Sequence, residues 1–112
     1  MLTLNEYQTD TEETAIYPHR YEYQGLMYLG LGLAGEAGEV ADNVKKAFRD
    51  DNEELTKERR EAMKYELGDC LWYIAEMARV LGWTLEDVAS ANTQKLRSRK
   101  QRGVLGGSGD KR

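Results

Sequence analysis

The segment from Lys57 to Leu81 constrains the fold more than any other part of the chain. Its apolar residues recur with the period of an α-helix, and the chain's only proline, Pro18, lies outside it. Plotted at about 100° per residue, the apolar side chains cover nearly the whole circumference of that helix. A helix that is apolar on nearly every side is buried on nearly every side. Because a short chain cannot cover it alone, we expect at least a homodimer.

The rest of the sequence also has helical rather than alternating periodicity, which predicts four helices. Thr3 with Glu6, and Thr84 with Asp87, have the spacing of capping boxes, and Gly82 suits a C-terminal cap. The predicted helices run from Leu4 to Ile16, from Tyr21 to Phe48, from Glu53 or Lys57 to Leu81, and from Thr84 to Arg99. The expected fold class is therefore all-α, with four helices in a bundle-like, oligomeric arrangement.

Glycines are unusually frequent in the second predicted helix. Each glycine in a helix interior costs up to ~1 kcal/mol relative to alanine. Their number predicts either a break near Gly30 and Gly32 or a very close approach of another backbone. The glycines in question are Gly25, Gly30, Gly32, Gly35 and Gly38.

The length of 112 residues is that of one domain, which we assign to residues 1–102. Residues 103–112 form a glycine-rich tail that cannot be helical. The net charge of −4 argues against a nucleic-acid or membrane-surface binder, although the chain becomes basic from Lys95 onward. The single cysteine, Cys70, excludes an intrachain disulfide and fits a reducing compartment, so we expect a cytoplasmic protein. No apolar run approaches the ~18 residues that span a bilayer.

Two pairs of acidic residues interrupt helix faces that are otherwise apolar. Glu36 and Glu39 are three residues apart in the second helix, and Glu66 and Asp69 have the same spacing in the third. Residues three apart lie on one face of a helix. Two such pairs, each within an apolar stripe of adjacent helices, predict a cluster of four carboxylates.

Clustered carboxylates need a cation, because like charges repel and burial disfavours ionisation. An all-oxygen ligand set favours Mg²⁺, Mn²⁺ or Ca²⁺, which can clamp a polyphosphate and activate a water molecule. A di-iron bundle would require Glu-x-x-His pairs, and the only histidine is His19, beside Pro18 in a predicted turn. The remaining alternative is that these acids are solvated surface residues.

The sequence resembles the MazG-like, all-α nucleoside triphosphate pyrophosphohydrolases, over roughly residues 24 to 100. That family is marked by Glu-x-x-Glu and Glu-x-x-Asp on successive helices, here separated by 26 residues. The matching segments are Gly35-Glu36-Ala37-Gly38-Glu39-Val40 and Glu66-Leu67-Gly68-Asp69-Cys70-Leu71-Trp72-Tyr73. A third matching block runs from Leu81 to Ala89 and continues from Ala91 to Leu96. The chain resembles the short, single-copy type.

The resemblance implies hydrolysis of a nucleoside triphosphate to the monophosphate and pyrophosphate, in control of the nucleotide pool. It implies Mg²⁺, with Mn²⁺ as a substitute, held by the four acids Glu36, Glu39, Glu66 and Asp69. Glu39 would position or deprotonate the attacking water. Asn92 and Lys95 match the family's Asn-x-x-Lys and would contact phosphates, and Lys46 or Lys45 could also reach them. The resemblance further implies a dimer or tetramer.

Several alternatives stay open at the level of sequence. Trp72, Trp83 and the tyrosines could stack on a base or belong to the core. The tail could fold over a bound nucleotide or be disordered. Two other classes of function compete with the enzyme: a helical interaction module whose acids are solvated, and a regulatory protein that binds a nucleotide or alarmone without turnover.

Overall fold

A computed structural model describes all 112 residues and contains four helices and no strands. In chain order, α1 spans Leu4–Glu12, α2 spans Tyr23–Asp50, α3 spans Lys57–Val80 and α4 spans Leu85–Gln101. The predicted all-α class with four helices is confirmed. None of the helices is both long and apolar enough to cross a membrane.

The helix ends follow local capping chemistry. The Thr3 side chain accepts a hydrogen bond from the Glu6 backbone N–H at 3.1 Å, and the Glu6 carboxylate accepts one from the Thr3 N–H at 3.2 Å. Thr84 and Asp87 form the second capping box in the same way. Gly82 ends α3 with a φ of +86°, a conformation that glycine adopts without a Cβ penalty. These three caps confirm the sequence prediction.

The prediction that the first helix reaches Ile16 is wrong, because α1 ends at Glu12. After Glu12 the backbone makes tighter turns, and the Thr14 hydroxyl donates a hydrogen bond to the Thr11 carbonyl at 3.1 Å. The chain then leaves the helical path and buries Tyr17 against Leu29 of α2. Burial of that ring outweighs four further helical residues, which a local pattern cannot anticipate.

The second helix has no break near Gly30 and Gly32, so that alternative is wrong. The close approach is real, but at Gly32 the neighbour is the ring of Tyr73 from α3 rather than a backbone. A Cβ on Gly32 would overlap three atoms of that ring. At Gly25 the neighbour is a backbone, since an added Cβ would overlap the carbonyl of His19.

The helices are arranged around α3, which contacts each of the other three. Helix α2 packs only against α3, whereas α1 and α4 contact each other as well as α3. The four helices therefore do not close into a bundle within one chain. The radius of gyration is 16.8 Å, compared with about 13 Å for a compact domain of this length.

The open arrangement leaves much apolar surface in water. Only 12 of the 112 residues are buried, far fewer than a self-sufficient domain would bury. The exposed large apolar side chains of α2 and α3 include Leu31, Val44, Phe48, Tyr65 and Leu67. Exposed apolar side chains in such number are typical of a helix pair that another protein molecule covers.

Polar contacts attach α1 to α3 and α4. Glu76 of α3 is fully buried, and its carboxylate accepts hydrogen bonds from the Thr11 hydroxyl at 2.7 Å and from Arg79 at 3.2 Å. The Gln8 amide donates to the carbonyls of Ala75 and Trp83, each at 3.1 Å. A buried charge that is paired on several sides fixes the docking geometry, since removing a partner leaves it unsatisfied.

Substitution of Gly32 by alanine should destabilise the protein by about 1–3 kcal/mol, because the added methyl group overpacks the α2–α3 contact at Tyr73. Urea unfolding followed by helical circular dichroism measures this. The matched control is Gly35→Ala in the same helix, where an added Cβ meets no atom within 4 Å. The control should be neutral or stabilising by up to ~1 kcal/mol. Equal stability of Gly32→Ala and wild type would contradict the proposed contact.

Candidate functional site

One member of each predicted acid pair lies in a shared depression at the α2–α3 contact. Glu36 of α2 and Asp69 of α3 line the same open depression of about 310 Å³, together with Trp72 and Tyr73. Glu36 is half-buried, and Glu39, one turn further along α2, is exposed. The site is thus an acidic depression whose other wall is aromatic.

The pKa of Glu36 is affected by the acids around it. Burial raises the pKa of the Glu36 carboxyl, and the negative charges of Asp69, Glu39 and Glu66 raise it further. All three other predicted ligands therefore act electrostatically on Glu36. A carboxyl that is partly buried beside other acids is a candidate member of a cation site.

Asn43 is a member of the site that the sequence analysis missed. Its side-chain amide donates a hydrogen bond to the Glu66 carboxylate at 2.5 Å, across the α2–α3 contact. Arg59 in turn donates to the Asn43 carbonyl oxygen at 3.5 Å and pairs with Asp51. Asn43 lies four residues after Glu39, on the same helix face, so its spacing was the available signal.

The donor set of this site suits a hard divalent cation, since it consists of carboxylate oxygens and carries surplus negative charge. The side chains as they stand do not form a finished ion site: no three Asp, Glu, His or Cys residues are arranged to hold a metal. Ionised carboxylates repel one another, and Glu66 is turned towards Asn43. The residues fit the cation in chemistry, and binding would require Glu66 and its neighbours to adjust.

The aromatic wall is held rigidly from behind. The Trp72 indole N–H donates a hydrogen bond to the Thr14 hydroxyl at 2.7 Å. The Trp72 ring meets Tyr73 edge-on at 5.0 Å between centroids and Tyr17 edge-on at 6.3 Å. Tyr17 also stacks on Tyr28 at 5.5 Å. Trp72 and Tyr73 thus pack against the core, one of the two alternatives left by the sequence, and also line the depression.

Lys45 and Lys46 form ion pairs with Asp42 on their own helix. The distances to the Asp42 carboxylate are 3.0 Å from Lys45 and 2.8 Å from Lys46. Hydrogen bonds from these two ammonium groups lower the pKa of Asp42 to about 2. Lys46, predicted to contact substrate, is therefore engaged outside the acidic depression.

The predicted phosphate contacts on α4 also lie outside the depression of the same chain. Asn92 is exposed, and the Lys95 ammonium pairs with Asp110 at 3.4 Å. Because α4 makes no contact with α2, it does not meet Glu36 or Glu39. One chain therefore places Glu36 and Asp69 in one depression and leaves Asn92 and Lys95 outside it.

Comparison with known proteins places the chain in a family. Residues 24–104 match the MazG nucleotide pyrophosphohydrolase domain, so more than half of the chain is covered and the protein belongs to that family. The chain is also 47% identical over 109 residues to the Gene 37 protein of Mycobacterium phage L5, covering 95% of this chain and 96% of that protein. No solved structure matches the chain.

Replacing Glu36 with glutamine should stabilise the metal-free protein at pH 7. Because the pKa of Glu36 is higher in the folded protein than in the unfolded chain, ionised Glu36 opposes folding. Protonated Glu36 favours folding, and this contribution to the free energy of unfolding is lost as the pH rises through the folded-state pKa. The stabilisation gained from glutamine should therefore be smaller in acid. Urea unfolding in EDTA at several pH values measures this effect.

The matched control for this experiment is Glu54→Gln, at an exposed glutamate with no side-chain partner, which should change little. A Glu36→Gln variant less stable than wild type at pH 7 would show that the acids are not electrostatically crowded.

Proposed function

We propose that the protein is a Mg²⁺-dependent nucleoside triphosphate pyrophosphohydrolase that converts a nucleoside or deoxynucleoside triphosphate and water to the monophosphate and pyrophosphate. The observation that carries the proposal is that Glu36 of α2 and Asp69 of α3 line one depression, and the charges of Glu39 and Glu66 also raise the pKa of Glu36. Membership of the MazG family supports the same reaction class. Such an activity would serve nucleotide-pool control, by removing aberrant nucleotides or trimming particular dNTPs.

Glu36, Glu39, Glu66 and Asp69 would hold the cation. Mg²⁺, or Mn²⁺ in its place, supplies charge neutralisation for the triphosphate and lowers the pKa of a bound water. The hydrogen bond from Asn43 keeps the Glu66 carboxylate oriented towards α2. Glu66 would therefore have to turn from this hydrogen bond to reach the cation.

Glu39 is the residue best placed to take a proton. It is the exposed member of the α2 pair, so it can face a water molecule at the mouth of the depression. The water oxygen attacks the α-phosphorus and its proton passes to the Glu39 carboxylate. The bond from the α-phosphorus to the bridging oxygen breaks, and pyrophosphate leaves with that electron pair. Water is the only co-reactant.

The aromatic wall offers a surface for the nucleobase. Trp72 presents a large flat ring beside Asp69, and its indole N–H is already bonded to Thr14. A ring that is fixed before binding loses little conformational freedom when a base stacks on it. We infer that the base lies along Trp72 and Tyr73 while the phosphates extend towards the acids.

We further propose that a second copy of the chain completes the site. Asn92 and Lys95 lie on a helix that makes no contact with α2 in the same chain. The α2–α3 pair also exposes apolar side chains that a second copy would cover. A homodimer, or a tetramer built from dimers, would therefore bury this surface and bring α4 of one copy to the acids of another.

The first test of the reaction is a product assay with a panel of canonical and modified nucleotides in Mg²⁺, Mn²⁺ or EDTA. Metal-dependent release of pyrophosphate and a monophosphate is the expected result. Release of orthophosphate would mean attack at another phosphorus and would contradict the mechanism. Binding of metal and nucleotide without any turnover would favour the regulatory nucleotide-binding alternative.

The variant Glu39→Gln should lower kcat by about 10²- to 10⁴-fold, because it removes the proton acceptor. Its helical circular dichroism should match that of wild type, since the Glu39 side chain is exposed. The matched control is Glu61→Gln on α3, whose carboxylate pairs only with Lys64 on the surface. Wild-type turnover in Glu39→Gln would exclude Glu39 from the reaction.

Mixing two inactive variants tests the contribution of a second copy. Suppose that Lys95 contacts a substrate held by the carboxylates of another chain. Glu39→Gln and Lys95→Gln chains that are refolded together then form some mixed sites in which both residues are intact. In a dimer with random pairing, activity should return to about a quarter of the wild-type value, because half the dimers carry one complete site out of two. Activity no higher than that of the two variants alone would place all site residues in one chain.

A further inference from the structure

A row of polar and cationic residues runs along one face of α4 towards its end. Asn92, Lys95, Arg99 and Arg102 follow one another at intervals of three and four residues, which places them on one side of the helix. The first two are the phosphate contacts implied by the family resemblance. The stripe continues beyond them for two more turns.

Arg99 is the unusual member of this stripe, because it is only 4% exposed. Its Nη2 donates hydrogen bonds to the Asp110 carbonyl at 3.0 Å and to the Gly109 carbonyl at 3.4 Å. Its Nε is buried and makes no hydrogen bond. A desolvated guanidinium with an unused donor has capacity for a stronger anionic partner than it has here.

The anionic partner of Arg99 is a single carboxylate from the C-terminal segment. An Asp110 oxygen lies 3.4 Å from Arg99 Nη2 and 3.4 Å from Lys95 Nζ. These two cations lower the pKa of the Asp110 carboxyl. Both contacts are long for charged hydrogen bonds, and the Asp110 side chain is 87% exposed. The carboxylate therefore bridges two cations without being enclosed by them.

The segment 103–112 folds into a loop that presents Asp110. The Arg112 guanidinium donates to the carbonyls of Val104 and Leu105, each at 3.0 Å, and to that of Gly109 at 2.6 Å. Gly109 has a φ of +83°, which an L side chain rarely adopts. The loop is closed by hydrogen bonds from the Arg112 side chain, and none of its residues belongs to the buried core, so it can open without disturbing the core.

We propose that Lys95 and Arg99 form a binding site for the phosphate groups of the nucleotide, and that Asp110 occupies this site in the free protein. A phosphate offers more acceptor oxygens and more charge than a carboxylate, and a guanidinium binds it in a bidentate manner. The cations converge on one point, which suits a compact anion better than a polynucleotide backbone. The entering phosphate would displace Asp110 and open the loop.

This proposal rests on the proposed function, because it assigns the site to the same substrate. Arg99 and Asp110 are additions to the residues implied by the family resemblance. In the assembled protein, α4 would deliver the phosphates to the acids of a neighbouring copy, with Arg99 as a second cation beside Lys95.

Calorimetric titration with inorganic tripolyphosphate in EDTA at low salt tests the site directly, because EDTA removes any metal-dependent contribution of the acids. The result is therefore independent of turnover, and the two proposals can fail separately. Lys95→Gln should weaken binding by about tenfold, the value of one charged hydrogen bond. Asp110→Asn should tighten it by about three- to tenfold, because the competing carboxylate is removed.

Two exposed residues provide matched controls for the change in net charge. Asp10→Asn and Lys100→Gln alter side chains that have no partner, and neither should shift the affinity by as much as twofold. Asp110 is itself exposed, so its variant should fold normally and the test does not depend on replacing buried Arg99. If Asp110→Asn binds tripolyphosphate no more tightly than wild type, Asp110 does not occupy the site. Binding that is insensitive to Lys95→Gln, or no binding by any variant, would overturn the site itself.

Discussion

The close packing of α2 on α3 is the contact on which the rest of the structure depends. Tyr73 lies so near Gly32 that no larger residue fits there. The helix α2 packs on no other helix, so its position is set by this contact together with Tyr17, which packs on Leu29 and Tyr28. It also decides that Glu36 faces Asp69 and that Trp72 lines the same depression. One small residue opposite one ring thus sets both the fold and the site.

The same contact creates an electrostatic problem that a cation would solve. Packing α2 on α3 brings Glu36 close to Asp69, and burial together with the charges of Asp69, Glu39 and Glu66 raises the pKa of Glu36. The protein compensates in part through Asn43, which donates a hydrogen bond to Glu66. Ionised acids placed together at an open depression oppose folding. Their presence there is more readily explained by a role in binding than by a role in stability.

Charge is distributed unequally among the helices. The acids lie at the α2–α3 contact, whereas the cations of α4 lie on a helix that α2 does not touch. A triphosphate with its divalent cation needs both kinds of partner. The apolar surface exposed on α2 and α3 gives a physical reason for a second copy to bring these two groups of charges together. In the free protein, the Asp110 carboxylate pairs with the positive charges of Lys95 and Arg99.

The sequence alone determined what depends on neighbours along the chain. The helical period and the caps at Thr3, Thr84 and Gly82 act within a few residues, so the four helices could be predicted. The spacing of the acid pairs placed each pair on one face. Only the tertiary structure decided where α1 ends, why Gly32 is needed, that Asn43 holds Glu66, and that Asp110 meets Arg99. Each of these rests on a contact between residues distant along the chain or on a loop closing back on its helix, and helical periodicity carries no record of such contacts.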